Sequence, residues 1–194
     1  PFLRFEMKKS LSEMTTEELW TLFPIILSKH DPVWREYFFE EMGLLSEILP
    51  HGVIIAHIGS TAVPGIMAKP IVDILIEADE GQFTQIDALL REKCGYRLMA
   101  EEDRRRDYNK GYTEEGFAEK VYHLHLRVYG DNDELYFRDY LIEHEETARE
   151  YEHLKKALVK QYKYNRDAYT RAKGYFVAEF TQKAKEAYKD KYSV

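Results

Sequence analysis

Hydrophobic positions along the chain change period twice, dividing it into a helical entry, a strand-rich middle and a helical end. Thr15-Thr16-Glu17-Glu18 is a capping box: Thr15 can accept from the amide three residues on while Glu18 reaches back. It predicts a short helix carrying Leu19, Trp20 and Leu22. Asp31-Pro32 predicts a second start, with Asp as N-cap and Pro at the first helical position, where its missing N–H costs nothing. Over about 32–48, Trp34, Phe38, Met42 and Leu45 recur by three and four and give one apolar face.

The period then shortens. Residues 53–58 and 71–76 are short, β-branched apolar runs without alternation, which predicts central strands covered on both faces. Between them Pro64, Gly65 and Pro70 predict a turn or a short helical turn, with Pro70 at the start of the second strand, where proline is tolerated. Residues 82–93 read as a helix stopped by Gly95, with Ile86, Leu89 and Leu90 inward. Residues 96–100 and 117–129 read as strands joined by a polar segment containing Gly111 and Gly116. From about 134 the pattern is helical, over 134–143, 146–163 and from 168 on. The last helix carries an inward stripe of Tyr169, Ala172, Phe176, Phe180, Ala184 and Ala187. The chain therefore reads as one α+β domain over 1–194, with a mixed core at about 30–130 and a helical C-terminal part at about 134–190.

Composition narrows the classes of function. At 194 residues, 44% hydrophobic and 32% charged, the chain has the balance of a water-soluble globular protein. No apolar run reaches the roughly 20 residues of a membrane span, and residues 1–6 lack the pattern of a signal peptide. With a single cysteine, Cys94, no internal disulfide framework or cysteine-based zinc site is expected, and the cytoplasm is the expected compartment. A net charge of −7 gives no strong nucleic-acid signal. Arg104-Arg105-Arg106 is the one basic run, and its acidic flanks predict a solvated loop.

One residue is out of place. Asp73 lies inside an Ile/Val/Leu strand, where a carboxylate loses hydration at a cost of about several kcal/mol unless a partner restores it. It could accept backbone amides from a nearby turn; the alternative is a ligand to a metal or a cationic group at the strand's exposed end. Gly59-Ser60 follows the first apolar run directly. The glycine allows a close backbone approach, and the hydroxyl beside freed amides could hold a phosphate. Lys69 adds a cation before the second strand. A phosphate-cradling P-loop does not fit, because Gly59 and Gly65 have the wrong spacing and no Gly-Lys-Ser/Thr follows.

Residues 57–74, His-Ile-Gly-Ser-Thr-Ala-Val-Pro-Gly-Ile-Met-Ala-Lys-Pro-Ile-Val-Asp-Ile, resemble the signature of the GrpB-like family. The resemblance extends over about 20–180. It takes in Asp31-Pro32-Val33-Trp34, His123-Leu124-His125-Leu126, Phe137-Arg138-Asp139-Tyr140-Leu141 and residues 167–173 in the same order. It implies the nucleotidyltransferase superfamily fold, a mixed β-sheet core flanked by helices. That fold's pattern is Gly-Ser, a spacer, then two acids at i and i+2 on the next strand, about 6.6 Å apart on one face. Two acids so placed share divalent metals that neutralise a triphosphate. Here the first acid is Asp73 but the i+2 position is Leu75, and Glu77 lies about 13 Å from Asp73 along the strand. Standard two-metal transfer is thereby put in doubt.

His123 and His125, also i and i+2, share a strand face. With Asp73 they could form a two-histidine, one-carboxylate metal set, or one could serve as a general base. The residues expected at the site are thus Asp73, His123 and His125 as catalytic or metal-ligating groups. Gly59, Ser60, Thr61, Lys69, Arg138, Tyr169 and Lys173 are expected around a small phosphorylated ligand. The resemblance implies a metal-dependent nucleotidyltransferase, with Mg²⁺ or Mn²⁺ and a nucleoside triphosphate as cofactors. Two alternatives stand beside it: a single-metal hydrolase, and a non-catalytic ligand-binding or CoA-metabolism-assisting module, the latter implied by family fusions to dephospho-CoA kinase.

Overall fold

The computed structural model of the protein describes residues 9–192. The opening six residues, read as no signal peptide, lie outside that range. The capping box forms as expected: Thr15 Oγ1 accepts from the Glu18 N–H at 3.2 Å, and Glu18 accepts from the Thr15 N–H at 2.8 Å, opening α1 (Thr16–Leu22). Asp31 Oδ1 accepts from the Val33 N–H at 3.0 Å and starts α2 (Val33–Ile48), where Trp34, Phe38 and Leu45 are buried.

A mixed five-stranded sheet follows. It comprises β1 (Ile54–Ile58), β2 (Val72–Ala78), β3 (Arg97–Glu102), β4 (Arg105–Thr113) and β5 (Gly116–Val128), in the order β1-β2-β5-β4-β3. Only β2 and β5 run parallel. The helix α3 (Phe83–Glu92) joins β2 to β3 and ends before Gly95. Then α4 (Asp133–Glu143), α5 (Glu145–Tyr162) and α6 (Arg166–Ala187) complete the chain. No helix among the described residues is long and apolar enough to cross a membrane.

Four sequence expectations are corrected, wholly or in part. The run at 53–58 is not a central strand: β1 lies at the sheet edge, with Ile54 exposed. The polar segment at 105–113 is not a connection but an interior strand. Its long polar side chains carry apolar stems, Tyr108 supplies its buried anchor, and Gly111 (φ 91°) sits at a bulge where a Cβ would meet the Lys120 carbonyl at 2.3 Å. Of the arginine run, Arg104 lies in the expected solvated turn, while Arg105 and Arg106 open β4. Arg104 pairs with Glu80, Arg105 with Asp131 and Arg106 with Glu101. On α6, Ala187 is exposed, so the inward stripe ends at Ala184.

Strand alternation sorts the two faces of the sheet. Ile74 and Ile76 on β2, Tyr122, Leu124 and Leu126 on β5, and Tyr108 on β4 pack with α2 and α3 in the main core. The intervening positions place Asp73, Leu75 and Glu77 beside His123, His125 and Arg127 on the opposite face. There α4, α5 and α6 gather round Val63 and Ile66 from the β1–β2 connection. Glu77 is buried and accepts from the Gly130 N–H and from Asn132, so it belongs to a turn anchor rather than to Asp73.

The main core holds one ion pair, Lys110 Nζ to Glu41 Oε1 at 2.8 Å, with the ammonium also near the Tyr96 and Tyr122 rings. Glu41 is buried, so removing its partner strands a charge. Lys110→Met should cost about 3 kcal/mol, and Glu41→Leu in the same chain should recover most of it. Urea denaturation of the single and double variants measures both.

Candidate functional site

The register of β2 and β5 places Asp73 opposite His123, and Leu75 opposite His125. Both imidazoles lean toward one carboxylate oxygen: His123 Nδ1 is 3.3 Å and His125 Nε2 3.8 Å from Asp73 Oδ1. Tyr112 fixes the first ring. Its hydroxyl oxygen accepts from Arg166 Nη2 at 2.8 Å, which leaves its proton for His123 Nε2 at 2.7 Å. The network therefore assigns the His123 proton to Nδ1, toward Asp73. Asp107 fixes the second ring, with Oδ1 2.8 Å from His125 Nδ1 and 2.7 Å from Arg127 Nη2.

Burial penalises every charge here, and the partners decide the outcome. Burial lowers the His125 proton affinity, but the carboxylates of Asp107 and Asp73 on either side outweigh it and raise the pKa to about 9. For Asp73 burial pushes upward, yet the two imidazoles hold the carboxyl well below its ordinary range. His123, buried and facing one carboxylate only, is held below the usual histidine value. Asp73 is thus a partly screened anion, its side chain 27% exposed to the cleft beside it.

Gly59 explains why the carboxylate can sit there. With φ 71° it turns the chain sharply after β1, and a Cβ at this position would stand 2.3 Å from Asp73 Oδ2. Ser60 follows, opening a single 3₁₀ turn (Ser60–Ala62), and Thr61 is buried with its hydroxyl 3.0 Å from His57 Nε2.

Beyond Ser60 the cleft is cationic. Lys155 Nζ is 2.9 Å from Ser60 Oγ and 2.5 Å from the Met67 carbonyl. Lys69 and Lys173 lie over the buried Tyr169 ring at 5.9 and 5.5 Å, and Arg166 over Tyr112 at 5.3 Å. None of the four is in an ion pair among the described residues. Burial, then the neighbouring Lys173, pushes both Lys69 and Lys155 down to about 7. All of these groups line one cavity of about 1170 Å³ between the sheet, α1 and α6.

Gly59, Ser60, Thr61, Lys69, Asp73, His123, His125, Tyr169 and Lys173 are thus brought together. Arg138 is not: it donates to the His57 carbonyl at 2.8 Å and pairs with Asp139 and Tyr192, tying α4 to β1. Four neighbours escaped the sequence reading: Asp107, Tyr112, Lys155 and Arg166. Lys155 had a signal. It falls on the buried stripe of α5 with Ala148, Tyr151 and Leu158, as anomalous on a helix as Asp73 is in its strand.

The three expected metal ligands converge, but not as a metal set. Among the described residues no three His, Cys, Asp or Glu side chains form a group able to hold a metal ion. The carboxylates of Asp107 and Asp73 on either side favour the protonated form of His125, whose Nδ1 is 2.8 Å from Asp107 Oδ1. His123 spends both nitrogens, and Leu75, packed with Ile58 and Leu135, fills the place of a second acid. As they stand, the three side chains are engaged with one another and with Tyr112 and Asp107.

A mixed sheet with helices on both faces, and a polar cleft at the Gly-Ser turn, define an α+β protein built round a single aspartate. The GrpB protein family model matches residues 24–183, and the chain belongs to that family. It is 37% identical over 158 residues to a UPF0157 protein of Pseudomonas aeruginosa, covering 79% of this chain and 65% of that one. It is 34% identical to the glutamate-rich protein GrpB of Alkalihalophilus pseudofirmus, over 80% of this chain and 92% of the relative. The chain thus spans just under two thirds of the Pseudomonas relative. The crystal structure of the conserved protein GrpB from Enterococcus faecalis superposes with a TM-score of 0.73 at 30% identity, covering 84% of this chain and 99% of that one.

Two outcomes follow for the site. Gly59→Ala should lose at least about 2 kcal/mol in urea denaturation, because it adds a positive-φ penalty to the clash with Asp73. His125, followed by NMR, should titrate near pH 9 and at a clearly lower pH in Asp107→Asn. Because its folded pKa is raised, its stabilising contribution is complete below about pH 6.5 and is lost as pH rises through 9.

Proposed function

We propose that this protein binds a small phosphorylated ligand in the cleft, its anionic group held by Lys69, Lys155, Arg166 and Lys173 beside Gly59-Ser60. One observation carries the reading: four basic side chains line one cavity and none is in an ion pair among the described residues, although the Asp73 carboxylate also lines it and acts on Lys69 and Lys155. Holding unpaired basic groups together, one of them the buried Lys155, costs stability unless an anion completes the set. A phosphate group supplies two negative charges and several acceptor oxygens, which suits a cluster of lysine N–H donors and a guanidinium.

A nucleoside triphosphate is the ligand favoured by the nucleotidyltransferase-like order of Gly-Ser, spacer and Asp73. Apolar side chains on the same cavity, among them Trp20 and Phe23 on one face of α1 and its cap, support a ligand with a ring system as well as phosphates. A two-metal nucleotidyl transfer is not supported, since Leu75 stands where the second acid would be. That observation favours the second reading, a ligand-binding module of the same cleft without metal-dependent turnover.

Thermal denaturation with ATP, pyrophosphate or adenosine tests the proposal. ATP and pyrophosphate at saturating concentration should each raise Tm by about 3 °C without added Mg²⁺ or Mn²⁺. Adenosine alone should give a far smaller shift. Lys173→Ala with Arg166→Ala should abolish the pyrophosphate effect. An unchanged Tm with both phosphates would refute the reading.

A further inference from the structure

Ser60 and Lys155 form a pair that phosphate binding alone does not require. Gly59 turns the chain so that Ser60 stands at the mouth of the cleft, immediately after β1. Lys155 reaches it from α5 across the β1–β2 connection, 2% exposed, with Nζ 2.9 Å from Ser60 Oγ. Its other partner is the Met67 carbonyl. The carboxylate nearest in sequence, Glu152, is engaged elsewhere, accepting from the Met67 N–H and pairing with Lys156.

We propose that Ser60 is a nucleophile activated by Lys155, attacking the phosphorus of a phosphate ester or anhydride bound against the neighbouring cations. A neutral lysine amine has two N–H donors and one lone pair. One N–H satisfies Met67, and the lone pair is left for the Ser60 hydroxyl proton. The groups that bear on Lys155 are Lys173 from α6, Glu152 and Lys156 on its own helix, Asp73 from β2 and Lys69 from the connection. Burial and Lys173 dominate and hold its proton affinity near pH 7, where a lysine serves as a general base.

The step balances within the site. Ser60 Oγ forms a bond to phosphorus while its proton passes to Lys155 Nζ. The bond from phosphorus to the leaving oxygen breaks, its electron pair staying on that oxygen, which then takes the proton from Lys155. Lys69, Lys173 and Arg166 face the non-bridging oxygens, where charge gathers in the transition state. The serine–lysine arrangement recurs as a variant of the serine–histidine nucleophile on unrelated folds.

The electrophile's class rests on the phosphate reading of the cleft; the nucleophile is tested separately. The whole chain is treated with a biotinylated fluorophosphonate, in which Ser60 Oγ would displace fluoride from phosphorus, and the adduct is mapped by peptide mass spectrometry. The expected result is one adduct per chain at pH 8, on Ser60. It should be absent in Ser60→Ala, slowed about 100-fold in Lys155→Met and unaffected by Lys160→Met on the exposed face of α5. If Lys155→Met does not fold, the unaltered chain decides through its pH profile. Labelling should rise about tenfold between pH 6 and 8 and then level off, as a base of pKa near 7 requires. No adduct on Ser60 at pH 8, an undiminished rate in Lys155→Met, or a rate still climbing through pH 9 would overturn the proposal. Loss of labelling with the pyrophosphate Tm shift intact would remove the nucleophile and leave phosphate binding standing.

Discussion

The Asp73 carboxylate is the constraint round which the cleft is arranged. It sits 3.3 Å from His123 Nδ1 only because β2 and β5 pair in parallel with Asp73 opposite His123. A slip of one residue would exchange His123 and His125 for Leu124 and Leu126. It would push two imidazoles into the main core and two leucines into the cleft, so the packing of α2 and α3 on one face enforces the site on the other. Asp73 in turn dictates Gly59. The glycine's positive φ suits a sharp turn, but the 2.3 Å approach of any Cβ to Asp73 Oδ2 is the stronger demand.

Charge is segregated within the cleft. Asp73 and Asp107 clasp His125, while the cations gather beyond Ser60 from three separate parts of the chain: Lys69 on the β1–β2 connection, Lys155 on α5, and Arg166 and Lys173 on α6. The chain as a whole carries a net charge of −7, so this positive region is local and set by placement rather than composition. Lys155 also fastens the connection, since it bonds both Ser60 and the Met67 carbonyl, which lie at the two ends of the loop that carries Val63 and Ile66 into the helical bundle. The bond that shapes the loop and the bond that addresses Ser60 come from one nitrogen, Lys155 Nζ.

Much of this was legible in the sequence, and the gaps have physical causes. The capping box at Thr15, the strands round Gly59 and Asp73 and the helices of the C-terminal part followed from period and propensity, whereas the meeting of Asp73 with His123 and His125 was conditional on their strands being neighbours, which the register of β2 and β5 supplies. β4 did not. Its pairing energy comes from backbone bonds to two neighbours, and its side chains are arginine, lysine and asparagine with one buried tyrosine, so local pattern says loop. Asp107, Tyr112 and Arg166 were hidden for the same reason: each acts through a partner distant in sequence, and none is odd in its own setting. Arg138 misled in the opposite direction. It lies among apolar residues of α4 as a ligand-binding arginine would, yet its guanidinium satisfies the His57 carbonyl, Asp139 and Tyr192.

Leu75 shows how one apolar residue redistributes the chemistry. It has no exposed surface and packs with Ile58 and Leu135, so α4 closes directly onto β2 where a second carboxylate would have kept the face open and hydrated. With that acid gone, Asp73 cannot share a cation with a partner on its own strand, and two imidazoles satisfy it instead. In the proposed function, basic side chains would hold the anion directly where acids would otherwise hold metals. Once basic groups surround the phosphate, each lysine depresses the proton affinity of the next. Lys155, the most deeply buried and the one touching a hydroxyl, is therefore the group best placed to take up a proton near neutral pH.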